Sequence, residues 1–295
     1  MLGFLNLHKP QGWTSHDCVA KIRRLAQTRR VGHGGTLDPL ATGVLPLALG
    51  AATRLLPYLP KRKQYRGTLR FGVVTSTDDL GGEVLRETES GHLTLDALWR
   101  YQGDFLGAIQ QIPPQFSAVH QDGRRLYDLA RAGITVDVPA REVDVFAIEL
   151  IEWRPGAPAE LEVDITCGEG TYIRSIARDW GEKMGTGATL ARLERRLSGG
   201  MSLDQSVPLA VLLENPEALP KRLIPPQVAL AHLPLLTLEE PEIRRWRQGQ
   251  RLPCSLETGP ALIQSAEGEF LGVGEARNQE DGAVLHPKVV LGTDP

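Results

Sequence analysis

A chain of 295 residues, 41% of them hydrophobic, is longer than most single cores and predicts one large domain with a small appendage, or two domains. Its 31 Gly and 21 Pro require frequent turns, which argues against a helical bundle and for a β-containing fold with long loops. The formal charge of −3 counts against nucleic-acid binding unless the basic residues are clustered, because phosphates are held by local Lys and Arg.

Gly3 to Leu7 reads as a short buried strand, ended by the turn Lys9-Pro10-Gln11-Gly12. The opening has no basic stretch before its apolar residues and reaches Lys9-Pro10 too soon for a signal peptide. No apolar run elsewhere approaches membrane-spanning length, so a soluble cytoplasmic protein is expected. Thr14 or Ser15 can cap a helix with Asp17 in its first turn and an apolar stripe of Val19, Ile22 and Leu25. The other face is basic. Lys21, Arg23, Arg24, Arg29 and Arg30 form the first of four basic clusters; the others are Lys61, Arg62, Lys63 and Arg66, then Arg192, Arg195 and Arg196, then Arg244, Arg245, Arg247 and Arg251. Any one cluster suits a solvated face, but four in an acidic chain point to polyanion contacts.

VGHGGTLDP follows, where Gly32, Gly34 and Gly35 predict an irregular loop bearing Asp38, and Pro39 biases Asp38 toward extended backbone. LATGVLPLALG is apolar and predicted buried. From Gln64 to Val73, Tyr65, Gly67, Leu69, Phe71 and Val73 alternate with polar residues as in a half-buried strand. Leu95 to Ile109 reads as a helix, PPQFSAVHQDGRRLYDLARAG as a loop running into another helix, and Arg141 to Glu152 and LEVDITCG as strands. GTYIRSIARDWGEKMG passes from a strand end into a helix, with Gly170 placing Thr171, Tyr172 and Arg174 at the junction. Pro208, Pro216, Pro220, Pro225, Pro226 and Pro234 crowd the stretch before a boundary. Beyond it, Ala261–Ile263, Phe270–Val273 and Val289–Leu291 are short apolar runs between turn residues, as in a small β-barrel. Cys18, Cys167 and Cys254 are far apart and odd in number, with no CxxC or Cys/His cluster to hold zinc, and no P-loop or dinucleotide fingerprint occurs.

GHGGTLDPLATGVLPLALG, from Gly32 to Gly50, resembles the signature of the TruB family of tRNA pseudouridine synthases. KPQGWTS, KQYRGTLRFG, IPPQFSAVHQDGRRLYDLARAG and GTYIRSIARDWG resemble further family blocks in the right order, and five ordered blocks are far more specific than one motif. The resemblance implies a mixed α+β fold: a large, mainly antiparallel mixed sheet flanked by helices and loops, with a small C-terminal PUA-like β-barrel. It implies a catalytic domain over 1–234, Pro-rich over about 200–234, and an RNA-binding PUA-like domain over 235–295. Two departures occur. Gly168 and Glu169 stand where the family usually has a small and often a basic residue, and His33-Gly34-Gly35 stands where it usually reads His-Thr-Gly. The first bears on a local phosphate contact and the second on the stiffness of the loop.

The implied activity is isomerisation of uridine to pseudouridine at position 55, in the TΨC arm of tRNA, by a monomer without metal or cofactor. The glycosidic bond from C1′ to N1 breaks, the uracil turns, and C1′ joins C5, so nothing is oxidised, reduced or hydrolysed. By resemblance Asp38 is the essential carboxylate, and Arg174 pairs with it and keeps it ionised. Attack at uracil C6, attack at ribose C1′ and support of a glycal intermediate are all compatible with one aspartate. Tyr65 is implied to stack on the base with its hydroxyl ready for proton transfer, Tyr172 and Leu193 to line the uracil pocket, and His33 to fill the space left by the flipped base. Lys9 is implied to hold a phosphate near the loop. Each residue also has a plainer reading: Asp-Pro in a Gly-rich loop is usually a turn, and Tyr65, Leu193 and His33 could simply pack. Two other functions compete, a tRNA-binding folding helper with Asp38 incidental and a carboxylate-dependent hydrolase. The latter usually needs a second acid in a paired role, for which no motif is found.

Overall fold

In the computed structural model, which describes residues 1–117, 136–280 and 282–292 and the backbone of 120–121 and 124–125, the apolar run after Asp38 becomes the strand Thr42–Leu49. It is buried from Gly43 to Leu49, as a strand covered on both faces must be. One edge pairs antiparallel with Gly3–Lys9. The other is shared: Val31–His33 pairs antiparallel with Leu47–Leu49, and Ala188–Ser198 pairs parallel at Thr42 and Gly43. Gly43 has φ +102, and a Cβ there would sit 2.3 Å from the Arg195 carbonyl, so only glycine permits that approach. The ten-stranded mixed sheet then continues through Lys63–Phe71, Ala159–Cys167, Arg141–Arg154 and Gly107–Gln111, all antiparallel.

The first helix, Ser15–Leu25, forms where its cap predicts. The Thr14 hydroxyl accepts from the Asp17 amide at 3.0 Å, and the Asp17 carboxylate accepts from the Thr14 amide at 2.9 Å, closing a capping box. Val19 and Ile22 are buried with Cys18, while Arg23 and Arg24 stay on the outer face. The helix Ile173–Lys183 starts just after Gly170, at φ +84, and buries Ile176, Ala177 and Trp180; Trp180 stacks on Phe105 at 5.1 Å.

Three elements depart from the sequence reading. The segment after Arg30 begins as the strand Val31–His33, because the open half-edge of Thr42–Leu49 supplies a ladder that local propensity does not reveal. The helix expected over Leu95 to Ile109 stops at Gln102; a 3₁₀ turn spans Gly103–Phe105 and Gly107, at φ +81, leads into an edge strand. Ala188–Ser198, unassigned from sequence, is a central strand whose arginines mask its alternation. The helix expected late in the Pro113-to-Gly133 run lies outside the described residues.

The C-terminal barrel takes the form of a curled half-barrel sheet of five strands, in the order Leu235–Leu238, Gly259–Ser265, Phe270–Gln279, Gly282–Val290, Leu252–Cys254. One face packs Ala261, Ile263, Leu271 and Leu285 around the buried Trp246, whose Nε1 donates to the Leu271 carbonyl at 3.0 Å. The opposite face presents Leu262, Val273 and Val289 to Phe4, Val44, Ala48 and Leu55, so one apolar seam joins the two sheets. Among the described residues no helix is long and apolar enough to cross a membrane.

Candidate active site

Asp38 sits in a loop without regular structure, filling the gap between the two strands that share an edge of Thr42–Leu49. Buried backbone needs partners, and here side chains supply them. The Ser15 hydroxyl donates to the Leu37 carbonyl at 3.1 Å and accepts from the Leu37 amide at 2.8 Å. Arg195 donates to the carbonyls of Gly35, Thr36 and Val44 at 3.0, 3.2 and 2.7 Å. The Pro39 carbonyl accepts from the Gly12 amide at 2.8 Å and from Lys9 Nζ at 3.4 Å. Gly34, the departure from the family pattern, is tied by its amide to the Pro46 carbonyl at 2.8 Å.

Arg174 comes from the first turn of Ile173–Lys183, 136 residues away, and meets Asp38 with two nitrogens: Nη2 donates to Oδ1 at 3.1 Å and Nε lies 3.0 Å from Oδ2. Its remaining reach goes to the carbonyls of Thr77 at 3.0 Å and Phe116 at 3.1 Å. A second carboxylate, Asp79, lies 3.8 Å from Nε and accepts from the Thr77 hydroxyl at 2.6 Å and the Gly81 amide at 2.9 Å. Burial pushes the Asp38 carboxyl above its ordinary range; Arg174 opposes this and Asp79 adds to it. Asp38 nevertheless keeps 33% of its side-chain surface open, against 5% for Arg174. The arginine is thus a buried anchor and the carboxylate the half-buried tip.

That tip lies between two cavities. One, of about 180 Å³, is lined by Tyr65, Tyr172, Leu193, Ile173, Thr171, Lys63 and the Thr36–Asp38 backbone and side chains. The other, of about 260 Å³, shares Asp38, Tyr172 and Arg174 and extends past His16, Phe116 and Ser117. Tyr65 and Leu193 come from paired neighbouring strands. Burial raises the Tyr65 phenol, with the nearby Arg195 opposing, so the hydroxyl stays protonated at neutral pH. Tyr172, also raised by burial, is held by its main chain: its amide donates to Gln111 Oε1 at 2.8 Å and its carbonyl accepts from Gln111 Nε2 at 3.1 Å.

His33 lines neither cavity. Its Nδ1 accepts from the Gly35 amide at 3.3 Å, and its ring meets His16 edge-on at 5.4 Å. Burial, with His16 and Arg195 adding, lowers its pKa to about 4. The folded state therefore binds fewer protons than the unfolded chain between about pH 4 and the ordinary His value near 6.5, so stability rises with pH across that window. We expect urea midpoints of wild type to fall on acidification from pH 7 to 4.5, and of His33→Gln to fall less; equal slopes would count against a buried neutral imidazole.

Lys9 is corrected by the structure. It has no exposed surface, and Nζ donates to the carbonyls of Pro10 at 2.9 Å and Trp13 at 2.7 Å as well as Pro39. Burial lowers its pKa to about 8, and its donors are spent on the loop instead of a phosphate. Arg195, expected in a basic surface cluster, is likewise fully buried. In the second cluster, Lys61 pairs with Glu169 at 3.0 Å and Arg66 with Asp164 at 2.6 Å. Asp79 and Gln111 were not singled out from sequence, and Arg195 only as one of a basic cluster; for Asp79 the polar run Thr75–Asp79, following a strand, carried a visible cue. Among the described residues no group of three or more His, Cys, Asp or Glu is placed to hold a metal ion.

The family model for the TruB family pseudouridylate synthase N-terminal domain matches residues 23–173, and that for the C-terminal part of pseudouridine synthase II TruB matches 234–291. The tRNA pseudouridine synthase B of Synechocystis sp. is 56% identical over 297 aligned residues, covering 99% of this chain and 100% of its own. That of Gloeothece citriformis is 52% identical, covering 99% and 97%. Among solved structures, a chain of a Cbf5-Nop10-Gar1 complex matches 93% of this chain and 78% of its own with TM-score 0.70 and 26% identity. A chain from an H/ACA RNP bound to a substrate RNA containing 2′-deoxyuridine shares the fold, with TM-score 0.73, 24% identity, and 99% and 86% covered. Matched along 99% of its length by relatives at more than half identity, and by family models on its two large sheets, the chain belongs to the TruB family of pseudouridylate synthases.

Proposed function

We propose that this chain isomerises uridine to pseudouridine in tRNA, at position 55 of the TΨC arm, and that Asp38 is the carboxylate on which the reaction depends. The observation that carries the reading is the two-nitrogen contact between Arg174 and Asp38 at the wall of a cavity lined by Tyr65, Tyr172 and Leu193. A stacked base has to leave its helix to reach such a pocket, at a cost of about a few kcal/mol. The aromatic and apolar walls return part of that cost by packing against the uracil.

Within the pocket Arg174 keeps Asp38 ionised and aimed, so that little reorganisation is left for the reaction itself. As C1′ parts from N1 the electron pair stays on N1, and the carboxylate compensates the electron-poor C1′, helps it pass to a glycal, or holds the base through a bond at C6. After the uracil turns and C1′ bonds to C5, the hydrogen on C5 leaves as a proton and N1, which kept the electron pair of the broken bond, takes one up. Tyr65, protonated and inside the pocket, is the group we assign to stacking and to proton traffic. Tyr172 and Leu193 shape the uracil site. His33 and Lys9 brace the Asp38 loop from behind. Residues 1–234 form the catalytic domain in this reading, and residues 235–295 a PUA-like domain for the body of the tRNA. The enzyme acts as a cytoplasmic monomer.

Tyr65→Phe keeps the ring and loses the hydroxyl. The expected result is a single-turnover rate lower by about 10² or more, with tRNA affinity nearly unchanged. An unaltered rate would leave the ring as the whole contribution of Tyr65. The hydrolase reading is disfavoured because Asp79 lines neither cavity and shares the guanidinium of Asp38. The deciding experiment incubates the protein with an unmodified tRNA transcript, without added metal or nucleotide, and maps pseudouridine at nucleotide resolution. Conversion at position 55 alone supports the proposal; conversion elsewhere, or none, overturns it.

A further inference from the structure

Lys63 opens the strand that carries Tyr65, and the spacing of two puts both side chains on one face of the sheet. Its side chain lines the Asp38 cavity. Facing it is Gly35, at φ +136, where an added Cβ would lie 3.5 Å from Lys63 Nζ and 3.7 Å from Arg195 Nη1. Two cations therefore flank a notch left by a missing side chain.

Among the described residues neither cation has a carboxylate in ion-pair contact. Arg195 spends its donors on main-chain carbonyls, which are uncharged. The acid near Lys63, Glu169, is already engaged by Lys61 at 3.0 Å. Among the described residues Lys63 has no hydrogen-bond or ion-pair partner. Asp38, the one carboxylate among the described residues lining the cavity, is held by Arg174. Burial and the Arg195 charge pull the Lys63 pKa below the ordinary lysine range, which registers the cost of keeping an uncompensated ammonium there. Such a cost is offset when an anion arrives.

We propose that Lys63, backed by Arg195 across the Gly35 notch, is a binding site for a phosphodiester adjoining the flipped uridine of the RNA substrate. Lys63 makes the contact; Arg195, which has no exposed surface, supplies field. A uracil carbonyl is the poorer partner, because a neutral oxygen leaves two neighbouring cations uncompensated. The inference rests on the reading of this chain as a tRNA pseudouridine synthase.

The test measures binding and single-turnover conversion of a T-arm stem-loop RNA by wild type, Lys63→Gln and Lys63→Arg. Lys63→Gln should weaken binding about tenfold at low salt and reduce the slope of log K against log salt by about 0.7 to 0.9. Lys63→Arg should restore most of both. A neutral methylphosphonate at one of the two phosphates flanking the target uridine should weaken wild-type binding by a similar factor and leave Lys63→Gln binding unchanged. If neither methylphosphonate weakens wild-type binding, the proposal is overturned, whatever the folding of the variant. It is also overturned if Lys63→Gln lowers conversion with an unchanged salt slope, since the contact is then to the base. A wild type that responds to the methylphosphonate yet makes no pseudouridine would instead sink the isomerase reading and leave the phosphate site standing.

Discussion

Asp38→Asn is expected to lower pseudouridine formation at least about 10⁴-fold, the scale seen when a nucleophile is removed, while tRNA affinity stays within a few-fold. The amide preserves volume and can still accept from Arg174, so the loop keeps the ties that Ser15, Arg195 and Lys9 give its backbone. The charge alone is lost. Arg174 retains a carboxylate nearby in Asp79, 3.8 Å from Nε, and two carbonyl acceptors, so the fold should survive the change. Single-turnover conversion of a tRNA transcript, alongside filter binding and a thermal melt, separates these effects. Turnover near that of wild type would refute the mechanism; loss of binding together with rate would point to a folding helper whose aspartate is structural.

Arg174→Met should cost both rate and stability. Removing one partner of a buried pair leaves the other uncompensated, typically at about 3–5 kcal/mol. Here the guanidinium touches Asp38, approaches Asp79 and holds the carbonyls of Thr77 and Phe116, so a single substitution loosens three segments. Burial already raises the Asp38 pKa, and Arg174 is the main influence holding it down. Without that cation the pKa moves further up, the ionised fraction at neutral pH falls, and the acid limb of kcat/KM moves to higher pH. We expect a rate about 10² to 10³ lower at pH 7, recovering in part as pH rises. Arg174→Lys keeps charge but cannot span the carboxylate and both carbonyls, so it should fall between the two. An unshifted pH profile at normal rate would show that the pairing does not set the ionisation of Asp38.

Local pattern was legible where a segment buries one face against whatever lies beside it. The Thr14 cap and the Val19–Ile22 stripe predict the first helix, and the alternation from Tyr65 to Phe71 predicts a strand. Periodicity failed where a partner decided the outcome. Gly107–Gln111 is a strand because Arg141–Val145 offers it an edge, and Val31–His33 because Thr42–Leu49 has a half-edge free. Resemblance singled out Asp38, Tyr65, Tyr172, Arg174, Leu193, His33 and Lys9; the structure brings the first five to one cavity and leaves His33 and Lys9 outside it.

The sequence by itself determined the elements whose cue is local, such as the first helix and the strand that carries Tyr65, because hydrophobic period and capping chemistry act over a few neighbouring residues; the pocket residues came from the family resemblance. Tertiary structure alone decided which charges are free to meet a ligand. Lys9 and Arg195 look like surface cations in the chain and are buried braces in the fold, whereas Lys63, one of a basic run, faces the cavity with no hydrogen-bond or ion-pair partner among the described residues. The physical reason is that desolvation and hydrogen bonding depend on what packs around a charge, and those neighbours, such as Val44 for Arg195 at a separation of 151 residues, are brought together only by folding.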